Sequence, residues 1–324
     1  MVAEVTYSLV IPVFNEEEVL PALFARLNAL TDSVGDTWEI ILVNDGSRDG
    51  SLTLIADKHQ QDPRYRIIDL SRNFGHQIAI TAGIDHAVGK AVIVMDADLQ
   101  DPPEVIPSLI ERWKQGYDVV SAKRTHRHGE TTFKLTTARV FYRIINRLAS
   151  VELQEDVGDF KLLDRKVVDA LKSMKEQARY MRGMISWLGF SQTTVPYERH
   201  KREAGASKYP LFKMMTLAID GIVGFSDVPL RMALWFGATV SVVSFFYGMF
   251  VVFGRIAGNE AIQGWTSTMV ILSFLGGVIL MMLGIVGLYV GRIYEQVKQR
   301  PLYLVERADP PAAGTSAARN KTKI

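Results

Sequence analysis

At 324 residues the chain has room for one large domain or two ordinary ones. Its 37 Lys+Arg against 35 Asp+Glu leave a net charge of +2, too small for a protein that binds nucleic acid through bulk charge. The absence of cysteine excludes disulfides and Cys-based zinc sites and fits a reducing compartment.

Met1 to Thr6 lacks the basic region and apolar core of a signal peptide, so the chain is expected to begin on the cytoplasmic side. Val5 to Val13 then predicts a strand, Glu16 to Leu30 a helix, Trp38 to Val43 a strand and Ser51 to His59 a helix. Tyr65 to Leu70 predicts a third strand, Gln77 to Val88 a helix, Ala91 to Met95 a fourth strand and Tyr117 to Ala122 a fifth. This alternation predicts an α/β domain with a mainly parallel, Rossmann-like sheet covered by helices. No G-x-G-x-x-G follows a strand and no G-x-x-x-x-G-K-[ST] occurs, which argues against dinucleotide oxidoreductases and P-loop NTPases.

Each of the first four strands ends in polar residues: Asn15-Glu16, Asn44-Asp45-Gly46-Ser47, Ser71-Arg72-Asn73 and Asp96-Ala97-Asp98. In a parallel sheet these loops converge on one edge, where ligands of open α/β sheets bind. Pro102-Pro103 forces the chain out of the sheet after the fourth strand. Asp96 and Asp98 are either two solvated acids in a turn or the hard oxygen ligands of Mg²⁺ or Mn²⁺. Asp45 can accept from a nucleotide base or ribose, and Arg72 can face a diphosphate; read alone, Asp45-Gly46-Ser47 is equally a turn or a helix cap. The run Lys123-Arg124-Thr125-His126-Arg127 is either a solvated charged face or a grip for phosphate oxygens.

Residues 232–254 and 261–291 carry no charged side chain and each exceeds the roughly 20 apolar residues that span a bilayer. The short link between them predicts an antiparallel hairpin. Basic residues on its outer flanks, from Arg199 to Arg231 and from Arg292 to Arg300, place both flanks in the cytoplasm and 255–264 outside by the positive-inside rule. Trp235 and Trp265 are candidate interfacial anchors, and Gly276, Gly277, Gly284, Gly287 and Gly291 suit close helix packing between subunits. Two amphipathic segments, 133–148 and 210–225, suit the headgroup region, although burial against the domain core is an alternative for the first. Domain boundaries follow: a cytoplasmic domain over 1–205, an amphipathic juxtamembrane helix over 206–230, two membrane helices over 231–291, a cytoplasmic segment over 292–305 and a disordered tail over 306–324.

Val10-Ile11-Pro12-Val13-Phe14-Asn15-Glu16, Val43-Asn44-Asp45-Gly46-Ser47 and Asp96-Ala97-Asp98-Leu99-Gln100-Asp101-Pro102 follow the order and spacing of family 2 glycosyltransferases with the GT-A nucleotide-sugar fold. With Asn73-Phe74-Gly75-His76, Val157-Gly158-Asp159-Phe160, Gly205-Ala206-Ser207-Lys208-Tyr209 and the hairpin, the chain resembles the polyprenyl-phosphate glycosyltransferases over about residues 5–305. Within them it is most similar to the bactoprenol (undecaprenyl-phosphate) glucosyltransferases, and more distantly to dolichyl-phosphate mannose synthases. The Q-x-x-R-W motif of processive synthases is absent.

The resemblance implies an inverting, metal-dependent transfer of a hexose from a nucleotide sugar, with UDP-glucose first in line, to polyprenyl phosphate for cell-envelope glycan modification. It implies Asp98 and Asp159 as catalytic residues, and Asp96, Asp98 and Gln100 around Mg²⁺ or Mn²⁺. The donor would be held by Pro12, Phe14, Glu16, Asp45, Arg72, Asp96, Ser207 and Lys208, and the acceptor phosphate by Lys123, Arg124, Arg127 and Arg202. Asp159 could act as a base or orient the acceptor, with Asp156 its local competitor. Membrane lipid and a second copy of the chain are the further partners implied, nucleic acid is not, and the bacterial inner membrane is the implied location. A mannosyl or aminosugar transferase of the same architecture, or a non-catalytic membrane assembly partner, are the alternatives.

Overall fold

The computed structural model describes residues 4–125, 157–198, 228–256 and 264–310. Runs of Val, Ile and Leu form its central strands, β1 (Tyr7–Val13), β2 (Trp38–Asn44), β3 (Tyr65–Leu70) and β4 (Ala91–Val94). Every residue of β1, β2 and β4 is buried, as expected where helices cover both faces of a parallel sheet. The crossovers are α1 (Leu20–Val34), α2 (Ser51–Gln61) and α3 (His76–His86). After β4 come α4 (Ile106–Lys114), β5 (Val119–Arg124), β6 (Val157–Asp164), α5 (Arg165–Ser173), α6 (Met181–Trp187) and β7 (Gln192–Tyr197).

The sheet has eight strands in the order β7-β5-β6-β4-β1-β2-β3-β8, the last being Val305–Ala308. Pairings among β1, β2, β3 and β4 are parallel, as is β5 with β7, whereas β6 runs antiparallel to both β4 and β5. Because β1 has β2 on one side and β4 on the other, the strand order reverses beside it and opens a crevice at the carboxyl ends. At the opposite ends, the buried Glu39 accepts from Arg66 and Ser8, closing the sheet with a paired rather than a stranded charge.

Two findings differ from the sequence reading. The sheet gains β6, β7 and β8 beyond the five strands expected. The tail expected from residue 306 instead begins inside a strand, since Val305–Ala308 pairs antiparallel with β3 and satisfies that edge's backbone. Residues 311–324 lie outside the described residues.

The long helices α7 (Val228–Ile256) and α8 (Trp265–Lys298) form a separate compact unit. Both are long and apolar enough to cross a membrane, over Val228–Phe250 and Phe274–Lys298. Their large apolar side chains, such as Phe246, Phe250 and Leu280, stay exposed, which suits lipid and not water. At Gly237 an added Cβ would lie 3.1 Å from Met282 Cε, so glycine lets the two helices approach there.

Candidate active site

The polar loops at the carboxyl ends of β1, β2 and β3 enclose a cleft of about 510 Å³. Phe14 and Asn15 line it from β1, Asn44, Gly46 and Ser47 from β2, and Arg72 and Asn73 from β3. Gly46 has a positive φ of 67°, and a Cβ there would sit 2.6 Å from Arg72 C and Asn73 N. Only glycine therefore lets these two loops meet. Asp45 fastens the same junction from behind: its carboxylate accepts from Phe74 N at 2.7 Å and Gly75 N at 2.9 Å. Burial raises the Asp45 carboxyl above its ordinary value against those two hydrogen bonds. The Arg72 guanidinium lies 4.0 Å from the Phe74 ring centroid and donates to Asn73 O, which holds it at the cleft.

Next to the cleft, β4 ends in Asp96-Ala97-Asp98. Leu99 follows with φ 55° although it is not glycine, and its side chain is buried in the core. This strained left-handed residue turns the chain sharply after Asp98, whose carboxylate accepts from Gln100 N at 3.2 Å. Asp98 is 8% exposed. His76 Nε2, at the start of α3, lies 3.4 Å from Asp96 Oδ1 and 3.6 Å from Asp159 Oδ2, so one imidazole joins two acids. It makes no hydrogen bond to Asp96 Oδ1, which is buried without a hydrogen-bond partner. Burial, with Asp159, Asp101 and Asp98 nearby, pushes the Asp96 carboxyl up to about 6 in spite of His76.

Such an oxygen fits a hard divalent cation, which would supply the charge the site lacks. Among the described residues no group of three or more His, Asp or Glu side chains is arranged to hold a metal. Asp96 and Asp98 would offer two carboxylates, a number with which Mg²⁺ is held when substrate phosphates complete its shell.

Asp159, on β6, is held from two elements. It accepts from Gln77 Nε2 at 3.0 Å and from Arg182 Nε at 3.0 Å. Gln77 Oε1 in turn accepts from Met181 N, tying α3 to α6. Burial alone would raise the Asp159 carboxyl, but the charge of Arg182, the His76 contact and Lys161 outweigh it and hold it well below the usual carboxylate range. Burial pushes Lys161, two residues along β6, down to about 8.

The chain belongs to glycosyl transferase family 2. The family model, described as Glycosyl transferase family 2, matches residues 8–172 and so covers the loops after β1 to β4 and Asp159 on β6. An uncharacterized glycosyltransferase of Bacillus subtilis is 47% identical over 308 residues, 95% of each chain. The SfII prophage-derived bactoprenol glucosyl transferase of Shigella flexneri is 41% identical over 301 residues, 93% of this chain and 97% of its own. Among solved structures, mannosyl-3-phosphoglycerate synthase from Rubrobacter xylanophilus superposes with a TM-score of 0.48 at 16% identity, covering 82% of this chain and 80% of that one.

Of the residues singled out in sequence for this transferase, Phe14 and Arg72 line the cleft, and Asp96 and Asp159 meet through His76. Pro12 is buried within β1 opposite Val43, and Glu16 contributes its backbone N–H to Ser51 Oγ. Arg124 is engaged elsewhere, donating to Tyr197 Oη at 3.2 Å and facing Asp101 at 3.8 Å. Lys123 is exposed on β5. Arg127, Asp156, Arg202, Ser207, Lys208 and the segments 133–148 and 210–225 lie outside the described residues. Sequence reasoning missed Gln77, Lys161 and Arg182. The only signal was the spacing of Gln77 and His76 beside the Asn73-Phe74-Gly75 loop, while nothing local marks Arg182.

Proposed function

We propose that the chain transfers a hexose, glucose from UDP-glucose, to the phosphate of a polyprenyl phosphate such as undecaprenyl phosphate, with inversion at the sugar carbon. The supporting observation is the buried Asp96 oxygen, which faces His76 but has no hydrogen-bond partner, beside a nucleotide-sized cleft on one sheet edge, in a chain similar over 93% of its length to a bactoprenol glucosyl transferase. An oxygen of the acceptor phosphate attacks the anomeric carbon, and the bond from that carbon to the nucleoside diphosphate breaks. Asp96 and Asp98, with Gln100 close by, would hold Mg²⁺ or Mn²⁺, which when bound would supply Lewis acidity toward the departing diphosphate. Phe14 and Arg72 hold the donor in the cleft, and Asp45 keeps the loop beneath it in shape.

The acceptor needs little deprotonation, because a phosphate monoester has a second pKa of about 6. Asp159, held ionised by Arg182, is a weak base and acts by orienting the groups around the acceptor. Lys123, Arg127 and Arg202 supply cations for the acceptor phosphate, and Ser207 and Lys208 close on the donor.

In this reading α7 and α8 anchor the enzyme in the bacterial plasma membrane, with the catalytic domain and both termini cytoplasmic and the link between the helices outside. The glycines of α8 form its contact with a second copy: Gly276, Gly277, Gly284, Gly287 and Gly291 have nothing within 4 Å of an added Cβ. Purified protein incubated with undecaprenyl phosphate, Mg²⁺ or Mn²⁺ and a panel of radiolabelled UDP- and GDP-sugars is expected to give labelled lipid with UDP-glucose. Absence of lipid-linked product from every donor would overturn the proposal.

A further inference from the structure

The segment that follows α8 is built into the catalytic sheet by a continuous series of bonds. Arg300 O accepts from Gln177 Nε2 at 2.9 Å, Tyr303 Oη donates to Asp85 Oδ2 at 2.9 Å, and Leu304 O accepts from Ser71 N at 3.0 Å. At its far end Asp309 donates its N–H to Ile67 O at 3.0 Å, its carboxylate accepts from Ile67 N at 3.2 Å, and its carbonyl accepts from Arg66 Nη2 at 3.2 Å. That last bond ties the segment to the buried Glu39–Arg66 pair.

Between these anchors the strand register slips by one residue. Val305 pairs with Leu70, but Arg307 pairs with Asp69, which leaves Glu306 as the extra residue of a bulge. A bulge turns a side chain out of the regular alternation, and Glu306 lines the donor cleft with Asn44, Gly46, Asp69 and Arg72. Its strand lies at the β3 edge, with β1, β2 and β3 between it and β4, after which the acids Asp96 and Asp98 follow. A carboxylate there is suited to the nucleoside end of a donor and repels its diphosphate.

We propose that Glu306 is a donor-positioning residue whose carboxylate accepts hydrogen bonds from the N–H or O–H donors of the nucleoside, so that the strand after the membrane hairpin completes the donor site. This rests on the nucleotide-sugar reading of the cleft.

The test uses the full chain in detergent with Mg²⁺, comparing wild type with E306A, E306Q and E306D. Calorimetric titration with UDP, 2′-deoxy-UDP and GDP is combined with UDP-glucose kinetics and thermal melts. In E306A the UDP Kd and UDP-glucose KM are expected to rise about tenfold with kcat within about twofold, the size expected for one hydrogen bond to a charged group. E306D is expected to recover part of the loss and the melts to coincide. If the ribose hydroxyl is the donor, E306A also loses the preference for UDP over 2′-deoxy-UDP; if the base is, that preference survives. Unchanged Kd and KM in E306A would overturn the inference while leaving the transferase standing, as would a loss in kcat that tracks a lowered melting temperature. A wild-type protein that binds neither UDP nor GDP would overturn both.

Discussion

The two sides of the crevice beside β1 are built by opposite means. On the β1–β2–β3 side the loops are brought together by Gly46 and pinned by Asp45 through backbone N–H groups, and the result is a shaped cleft with charges of both signs, Arg72 and Glu306 among them, set around its wall. On the β4–β6 side, charged groups face one another within 3.0–3.6 Å, with His76 between Asp96 and Asp159 and Arg182 against Asp159. A cleft made by shape should fail in binding when damaged. A charge cluster should fail in turnover, because electrostatic stabilisation acts on charge that develops during reaction.

The sharpest way to break the charged side is Asp98→Ala. Loss of a metal carboxylate should lower kcat by about 10³-fold or more, given the several kcal/mol a Lewis acid contributes, with the UDP-glucose titration checked alongside turnover. Excess EDTA should do the same to wild type. Full turnover in either case would remove the metal from the mechanism.

Arg182→Ala comes next. It leaves Asp159 buried without its main counter-charge, in a site that already holds Asp96 and Asp98 and must receive a dianionic acceptor. Removing one preorganised cation from a site where charge develops costs about 10²–10³ in kcat, so a loss of about 10²-fold is expected. The double variant R182A/D159N removes the stranded charge and should recover part of that loss. A double variant as poor as or worse than R182A would mean that Arg182 acts on substrate directly.

The same contrast explains what could be read from sequence. In the parallel half, strands buried on both faces appear as uninterrupted apolar runs, so β1 to β4 and the loops bearing Phe14, Arg72, Asp96 and Asp98 were legible. The charged side depends on pairings far apart in the chain: Asp159 meets Gln77 across 82 positions, and Met181 meets that Gln across 104. No local pattern encodes such contacts, and Arg182 sits in a short helix without a motif. For β8, Val305-Glu306-Arg307-Ala308 has neither alternation nor length, and its strand character comes from the open edge of β3 that it covers. Arg124 shows the same limit. A cation after a strand suggests phosphate, and its structural partners Asp101 and Tyr197 arrive from other elements that no local pattern marks.

Gly46→Ala tests the shaped side. The added methyl must push the Arg72–Asn73 backbone away from a 2.6 Å contact and also accept φ 67°. The UDP-glucose KM should rise by about tenfold or more while kcat falls less, since the acid cluster is untouched. A kcat loss with KM unchanged would show that the two sides are not separable.

The smallest expected effect, and the one that decides the chemistry of the charged side, is that of Asp159→Asn. The substitution removes a charge and keeps one acceptor oxygen, which can serve Arg182 or Gln77 in its present place but not both, so it strands no anion. Because the Asp159 carboxyl is held below its ordinary value, its ionised form stabilises the fold above the unfolded carboxyl pKa of about 3.9, and that contribution fades as pH falls through the depressed value. The melting temperature of wild type should therefore exceed that of Asp159→Asn near neutral pH, and the gap should close in acid. For turnover, an obligatory base would make the variant lose about 10²–10⁴-fold at every pH. An acceptor that supplies its own dianion instead leaves Asp159→Asn within about tenfold of wild type, with a rate that climbs as pH passes the acceptor's second pKa near 6. The weak basicity of an acid paired with Arg182 favours the second outcome. A pH–rate profile for the variant that stays flat and near background from about pH 5.5 to 8.5 would restore Asp159 as the base.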